Sequence, residues 1–137
     1  MSRTLAIDYG AKRTGLAVTD PLGIIASPLQ MVPTSQLEDF LESYFQSQTV
    51  GRIVLGEPKK MDGSPTHATP LVKSFRSRIR KLWPDKELVM HDERFTSKIA
   101  LNAMIDGGMK KSARRQKGTV DKISATIILQ SYLASQA

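Results

Sequence analysis

Apolar residues are spaced in two ways along the chain, and the spacing predicts strands followed by alternating helices and strands. Residues 3–9 and 14–19 are short apolar runs that predict two buried strands, and residues 24–32 can supply a third. A tight basic loop separates the first two strands, and the turn signal at residues 20–23 precedes the third. Three strands joined by short turns predict an antiparallel meander.

Helical periodicity begins after the third strand. Apolar positions at i, i+3, i+4, i+7 and i+8 predict an amphipathic helix through Leu37, Phe40, Leu41, Tyr44 and Phe45. Thr34 or Ser35 can cap the start of this helix. Residues 52–55 predict a short buried strand, and the Pro, Gly, Asp and Ser content of residues 58–66 predicts a loop.

The second half of the chain continues the alternation. A second helical stripe ends before Pro84 and consists of Leu71, Phe75, Ile79 and Leu82. Residues 87–91 predict a further strand, and residues 96–106 a helix that ends at Gly107-Gly108. The last helix is predicted to start near Gly118-Thr119 and to bury Ile123, Ile127, Ile128 and Leu133. Together these elements predict an α/β fold with a mixed five-stranded sheet and helices on both of its faces.

Length and composition narrow the class of protein. The 137 residues contain no internal repeat and suit one domain, residues 1–137. The absence of cysteine excludes disulfides and thiolate metal sites. No apolar run approaches the 18 or so residues of a membrane span, and the apolar stretch at the N-terminus is too short for a signal peptide. We therefore expect a cytoplasmic protein that does not enter a membrane.

The net charge of +7 favours a polyanionic partner such as nucleic acid. Residues 109–117 contain almost no apolar residue. They carry five positive charges, on Lys110, Lys111, Arg114, Arg115 and Lys117. This stretch is compatible either with a solvated loop or with a segment that binds phosphates. It contains no interleaved aromatic residue, so base stacking is not its evident mode of binding.

Acidic residues stand at the ends of predicted elements. Asp8 ends the first strand, Glu57 follows the strand at 52–55, Asp92 and Glu93 end the last strand, and Asp121 lies in the first turn of the last helix. If those strands are neighbours, their ends meet at one edge of the sheet. Crowded carboxylates repel one another unless they share a proton or a cation, and Mg²⁺ and Mn²⁺ take oxygen ligands. Such a cluster beside basic segments predicts phosphodiester chemistry.

Each acid also has a plainer interpretation. Asp8 could begin a turn, Glu93 could pair with Arg94, Asp121 could favour the positive end of its helix, and Glu57 could be a solvated loop residue. His91 lies on an apolar strand and suits a core or supporting position better than a ligand. Only the joint pattern favours the cluster.

Four short motifs resemble the YqgF/RuvX family, whose members are described as Holliday junction resolvases. The matching residues, in order along nearly the whole chain, are Asp8-Tyr9-Gly10 with Lys12, Arg13 and Gly15; Gly56-Glu57-Pro58 with Met61-Asp62-Gly63; residues 91–97; and Lys117 with Asp121, Ser124, Ala125, Ile128 and Leu129. Any one motif is weak, whereas all four in order are specific.

The resemblance implies an RNase H-like fold with catalytic, metal-binding acids at Asp8, Glu93 and Asp121, and Mg²⁺ or Mn²⁺ as cofactor. It also implies a bacterial cytoplasmic nuclease that matures the 5′ end of pre-16S rRNA, with Holliday junction DNA as the other candidate substrate. At position 57 this family more often has an aliphatic residue, but other RNase H-like nucleases carry a catalytic acid at the end of the corresponding strand. We therefore hypothesise that Glu57 joins the metal cluster.

The expected nucleic-acid contacts are Lys12, Arg13, Arg94, Lys110, Lys111, Arg114, Arg115 and Lys117.

Two other classes of function are also compatible with the sequence. Asp8, Gly10 and Gly15 also resemble the first phosphate loop of actin-like and sugar-kinase-like lobes, although ATP there lies between two lobes. A non-catalytic RNA-binding factor for ribosome assembly would keep the same fold and charge. The sequence is compatible with a monomer or a homodimer.

Overall fold

The computed structural model describes residues 2–58, 63–92 and 117–136, with side chains in the last range from Ser124 onward. The strands are β1 (Arg3–Asp8), β2 (Arg13–Thr19), β3 (Ala26–Pro33), β4 (Val50–Glu57) and β5 (Glu87–Asp92). The helices are α1 (Leu37–Ser47), which follows a single 3₁₀ turn at Thr34–Gln36, then α2 (Thr69–Leu82) and α3 (Lys117–Ser135).

The five strands form one mixed sheet in the order β3-β2-β1-β4-β5. The first three strands pair antiparallel, which confirms the predicted meander, whereas β4 runs parallel to both β1 and β5. Because β1, β4 and β5 share a direction, their last residues lie at the same edge of the sheet. This edge, which carries Asp8, Glu57 and Asp92, is called the carboxyl edge below.

The sheet buries apolar residues on both faces, as the sequence predicts. On one face, α1 and α2 cover the larger core, to which Leu5, Ile7, Ile53 and Leu55 contribute from the strands. On the other face, α3 covers a second core made of Ala6, Ala17, Val54, Ala125, Ile128, Leu129 and Tyr132. Alanines provide much of this second core, so α3 can approach the sheet closely.

The apolar stripe predicted for α2 is wrong at its two ends. Leu71 and Leu82 are 44% and 39% exposed, whereas Val72, Phe75 and Ile79 are buried. An i, i+3, i+7 set fits a helix face as well as the predicted set does, so periodicity did not fix the rotation of the helix.

The prediction for the last helix holds in part. Ile128 is fully buried, together with Ala125 and Leu129, whereas Ile127 and Leu133 are half-buried. The side chain of Ile123 and the predicted helix 96–106 lie outside the described residues.

The predicted cap of α1 is also wrong. Gln36 occupies the cap position and makes no side-chain capping hydrogen bond. The Thr34 hydroxyl instead donates to the carbonyl oxygen of Gly10, 2.6 Å away, and Ser35 is exposed.

Among the described helices, none is long and apolar enough to cross a membrane.

Candidate active site

The parallel pairing brings acids of separate chain segments to the carboxyl edge. Ile7 pairs with Leu55, so Asp8, the last residue of β1, follows directly beyond that pair. Glu57 pairs in register with Asp92 on the far side of β4. Since neighbouring strands lie about 4.8 Å apart, the three strand ends fall within a span of about 10 Å.

Strand alternation assigns these acids to different faces of the sheet. Side chains two residues apart share a face, so Asp8 lies on the same face as Ala6, under α3. Glu57 shares its face with Ile53 and Leu55, under α2. The structure therefore brings Asp8 and Glu57 to one edge but directs their side chains to opposite faces.

The surroundings of Glu57 agree with this assignment. Its side chain lines a small pocket together with Thr69, Lys73 and Arg76 of α2 and Met90 of β5. Glu57 is thus near two basic side chains of α2, a proximity that the spacing of these residues in the sequence does not predict.

The loop between β1 and β2 is fixed by two threonines that the sequence analysis missed as site residues. The Thr34 hydroxyl donates to the Gly10 carbonyl oxygen, and the hydroxyls of Thr14 and Thr34 lie 2.9 Å apart. The Gly10 amide donates to the Thr14 hydroxyl at 3.5 Å, and the Thr34 amide donates to the Lys12 carbonyl oxygen at 2.9 Å. In the sequence Thr14 is only a threonine in a predicted strand, so no sequence signal reveals this arrangement; its complete burial is visible only in the structure.

The same loop requires glycine at position 10. A Cβ atom at Gly10 would collide with the backbone carbonyl oxygen of Arg13. The tight turn places Lys12, which is exposed, and Arg13, which is half-buried, immediately beyond Asp8. Two of the predicted nucleic-acid contacts therefore lie at the carboxyl edge beside the first acid.

Tyr9 joins this edge to α2. Its ring stacks on Phe75 with centroids 4.2 Å apart and an interplanar angle of 13°. Burial, and secondarily the negative charge of Glu38, raises the pKa of Tyr9 above its usual value. The phenol therefore stays protonated at neutral pH and serves as an anchor for the strand end.

His91 joins the end of β5 to α3. Its Nε2 lies 2.9 Å from the Ser131 hydroxyl, and its ring meets Tyr132 edge-on with centroids 6.1 Å apart. Burial lowers the pKa of His91, and the nearby Asp92 opposes that shift. The histidine is a supporting residue of the kind that the sequence predicted, held two positions before Glu93.

The structure describes the remaining predicted site residues only in part. Position 121 lies in α3, one helical turn before the buried Ala125, but the side chains of Lys117 and Asp121 lie outside the described residues. The same is true of the whole of Glu93, Arg94, Lys110, Lys111, Arg114 and Arg115. Among the residues whose side chains are described, no three His, Asp or Glu residues are grouped as a metal site.

Comparison with known proteins identifies the family. Residues 2–135 match the family described as "RuvX: Holliday junction resolvase". The chain belongs to the RuvX family. A RuvX relative from Flavobacterium johnsoniae, named "Putative pre-16S rRNA nuclease", is 48% identical over 136 residues, which is 99% of each chain. A relative of the same name from Phocaeicola vulgatus is 53% identical over 136 residues, covering 99% of this chain and 98% of its own.

Solved structures share the fold of this RuvX chain at low sequence identity. The fowlpox virus Holliday junction resolvase matches with a TM-score of 0.58 and 13% identity, over 97% of this chain and 99% of its own. RuvC of T. thermophilus, solved in complex with a Holliday junction substrate, matches with a TM-score of 0.58 and 15% identity, over 100% of this chain and 97% of its own. The predicted RNase H-like fold is confirmed, and the chain is a RuvX-family nuclease.

Proposed function

We propose that this protein is a metal-dependent phosphodiesterase that cuts nucleic acid at the carboxyl edge, with Asp8, Glu93 and Asp121 as the catalytic carboxylates. The observation that supports this most directly is the position of Asp8 at the end of a central strand, on the face that α3 covers. Position 121 lies in α3 itself, and Glu93 follows directly after the last residue of β5.

The donor set suits a hard divalent cation. Three carboxylates offer the oxygen ligands that Mg²⁺ and Mn²⁺ take, and the chain has no cysteine that could supply a thiolate. A bound divalent ion supplies positive charge at the attacking and leaving oxygens of a phosphodiester. We leave Glu57 out of the metal set, because its side chain lies on the α2 face with Lys73 and Arg76.

The chain's own residues position the substrate. Lys12 and Arg13 lie directly beyond Asp8, where they would bind the phosphates that flank the cleaved bond. The hydroxyl pair of Thr14 and Thr34 fixes the loop that carries them, so these cations are held in place before substrate binds. Arg94 and the basic segment 110–117 complete the proposed contacts, with Lys110, Lys111, Arg114, Arg115 and Lys117.

We take pre-16S rRNA as the first candidate substrate, because relatives that match over nearly their full length are named for it. We propose that the cut is made in the cytoplasm and matures the 5′ end of that precursor. Junction DNA is the second candidate, since the family description and the solved structures of similar fold name it. A two-fold junction would require a homodimer, whereas cleavage of an RNA precursor can be done by a monomer.

A cleavage assay tests the proposal. Wild type and the variants Asp8→Asn, Glu93→Gln and Asp121→Asn are incubated with precursor rRNA, junction DNA and unstructured strands, each with Mg²⁺, Mn²⁺ or EDTA. We expect wild type to cut with metal and not with EDTA. Each variant should lose at least about 100-fold in rate while it still binds substrate.

Glu57→Gln is the matched control for the metal set, because it also neutralises one acid at the carboxyl edge. Titration calorimetry should give the same Mn²⁺ affinity for Glu57→Gln as for wild type, whereas Asp8→Asn should weaken it. Weaker Mn²⁺ binding by Glu57→Gln would place this acid among the ligands. A wild-type protein that binds precursor rRNA but cuts none of the substrates with either metal would support the non-catalytic assembly factor instead.

A further inference from the structure

One side of α2 carries more positive charge than the nearby described residues balance, since Glu57 alone among the acids lines the pocket that contains Lys73 and Arg76. The helix has five basic residues and no acid, whereas α1 beside it has three acids and no basic residue. Arg78 links the two helices: its Nε and Nη2 donate hydrogen bonds to the Glu38 carboxylate of α1 at 3.0–3.2 Å. The basic stripe considered below consists of three of the others: Lys73, Arg76 and Arg80.

The stripe has a defined direction on the helix. Its members each follow one position after a buried residue, namely Val72, Phe75 and Ile79. One position is a rotation of about 100°, so the stripe is turned to the side of the core face. Arg78 precedes Ile79 and turns to the opposite side, toward α1. The basic stripe therefore faces away from α1 and toward β5, where Met90 shares a pocket with Lys73 and Arg76.

The stripe begins at the carboxyl edge. The Thr69 hydroxyl donates to the carbonyl oxygen of Pro58, the residue after β4, so the first turn of α2 lies at that edge. From Lys73 to Arg80 the helix rises about 10 Å away from it. The charges thus run along the flank of the sheet, starting beside the strand ends that carry the acids.

These cations form no direct ion pair with a described acid, although Glu57 lines the same pocket as Lys73 and Arg76. No hydrogen bond or ion pair joins the side chains of Lys73, Arg76 or Arg80 to another described residue. The Nε atom of Arg76 is buried and has no hydrogen-bond acceptor among those residues. That nitrogen is closed to solvent, so a phosphate would instead contact the exposed side chains of Lys73 and Arg80 and the solvent-facing part of Arg76.

We propose that the basic stripe is a second binding surface for the phosphate backbone, along which a nucleic-acid strand continues after it leaves the carboxyl edge. No aromatic side chain is part of the stripe, so it is suited to phosphates rather than to bases and should not read sequence. Three charges spaced along about 10 Å of helix fit an extended, repeating polyanion better than a single phosphate. The inference rests on the proposed function for the direction of the strand, but the binding itself can be measured separately.

The decisive variant is Lys73→Gln/Arg76→Gln/Arg80→Gln. Its control, Arg52→Gln/Arg78→Gln/Lys81→Gln, removes the same number of positive charges from sites off the stripe. Arg52 forms an ion pair with Glu87 and Arg78 one with Glu38, and Lys81 is exposed on a different side of α2. All proteins also carry Asp8→Asn to prevent cleavage, and circular dichroism and thermal melting confirm that each is folded.

Affinity is measured on RNA strands of about 20 and about 4 nucleotides over a range of salt concentrations. For the long strand we expect the stripe variant to lose about tenfold in affinity, and its salt dependence to become shallower by about two in log–log slope. The short strand, which reaches only the carboxyl edge, should bind as before. The control variant should change by less than about twofold, and Arg76→Lys alone should bind the long strand like wild type.

Equal losses in the stripe variant and its control would overturn the proposal, because the effect would then reflect net charge alone. Unchanged binding of the long strand by the stripe variant would overturn it as well. Failure of the proposed function shows differently, as a wild-type protein that never cuts. In that case a selective loss of long-strand binding by the stripe variant would still support the inference.

Discussion

At the scale of single residues, polar side chains fix the geometry of the carboxyl edge. Thr14 is fully buried, and its hydroxyl lies between the Thr34 hydroxyl and the Gly10 amide. The sequence shows threonines at these positions, but threonine is common in strands for its shape alone. Only the return of β3 beside the loop brings Thr34 to Gly10, so this contact could not be predicted from sequence spacing.

Thr34→Val tests the loop anchor. Removing the hydroxyl leaves the Gly10 carbonyl oxygen and the buried Thr14 hydroxyl without this partner, and we expect the free energy of unfolding to fall by about 1–3 kcal/mol. The loss of a fixed loop should also lower kcat/KM for nucleic-acid cleavage by about tenfold. Denaturant unfolding and the cleavage assay measure the two effects.

The conservative variant Thr34→Ser keeps the hydroxyl and is the control, with both values expected near wild type. If Thr34→Val cleaves like wild type although it is less stable, the threonines stabilise the fold but do not position Lys12 and Arg13.

At the scale of elements, the contact between β5 and α3 connects two segments that carry proposed catalytic acids. His91, near the end of β5, contacts Ser131 and Tyr132 of α3. Glu93 follows β5 and Asp121 lies in α3, so this contact limits how far the two elements can shift relative to each other. The sequence suggested a supporting role for His91. Its partners could not be predicted from the sequence, because they lie 40 and 41 positions away and only the fold brings them to it.

A double-mutant cycle with Ser131→Ala and His91→Phe tests this contact. Phenylalanine keeps an aromatic ring against Tyr132 while it removes the hydrogen bond. Ser131→Ala should lower the free energy of unfolding by about 1 kcal/mol in wild type and by much less in the His91→Phe background. The coupling energy from denaturant unfolding is the measured quantity, and a value near zero would contradict the contact.

At the scale of the whole molecule, the two faces of the sheet have different tasks. The face under α1 and α2 carries the larger core, and α2 also presents the basic stripe. The face under α3 carries Asp8 next to small residues. Ala6 and Ala17 of the sheet and Ala125 of α3 are all fully buried. Small residues let the helix approach closely, so the distance between Asp8 and the backbone of α3 depends on them.

Ala17→Leu should push α3 away from the sheet. We expect an overpacking cost of about 1–3 kcal/mol in the free energy of unfolding and a weaker affinity for Mn²⁺, because Asp8 and α3 would move apart. Calorimetry at a temperature where the variant is fully folded measures the Mn²⁺ affinity.

Leu41→Ala provides the control on the opposite face. It should cost about 2–5 kcal/mol, since it empties a buried site under α1, yet leave Mn²⁺ binding unchanged at a temperature where it is folded. An equal loss of Mn²⁺ affinity in both variants would show that general destabilisation, and not the spacing under α3, governs the metal site.

The sequence by itself determined the alternation of elements, the meander of the first three strands and the occurrence of an acid at the end of a buried strand. These follow from local periodicity, turn residues and the cost of burying charge, which neighbouring residues largely decide. Tertiary structure decided which side of α2 is buried, since Val72 replaced Leu71 and Leu82. It also directed Glu57 toward α2 and Asp8 toward α3, because the face of a strand residue has meaning only once helices cover the sheet.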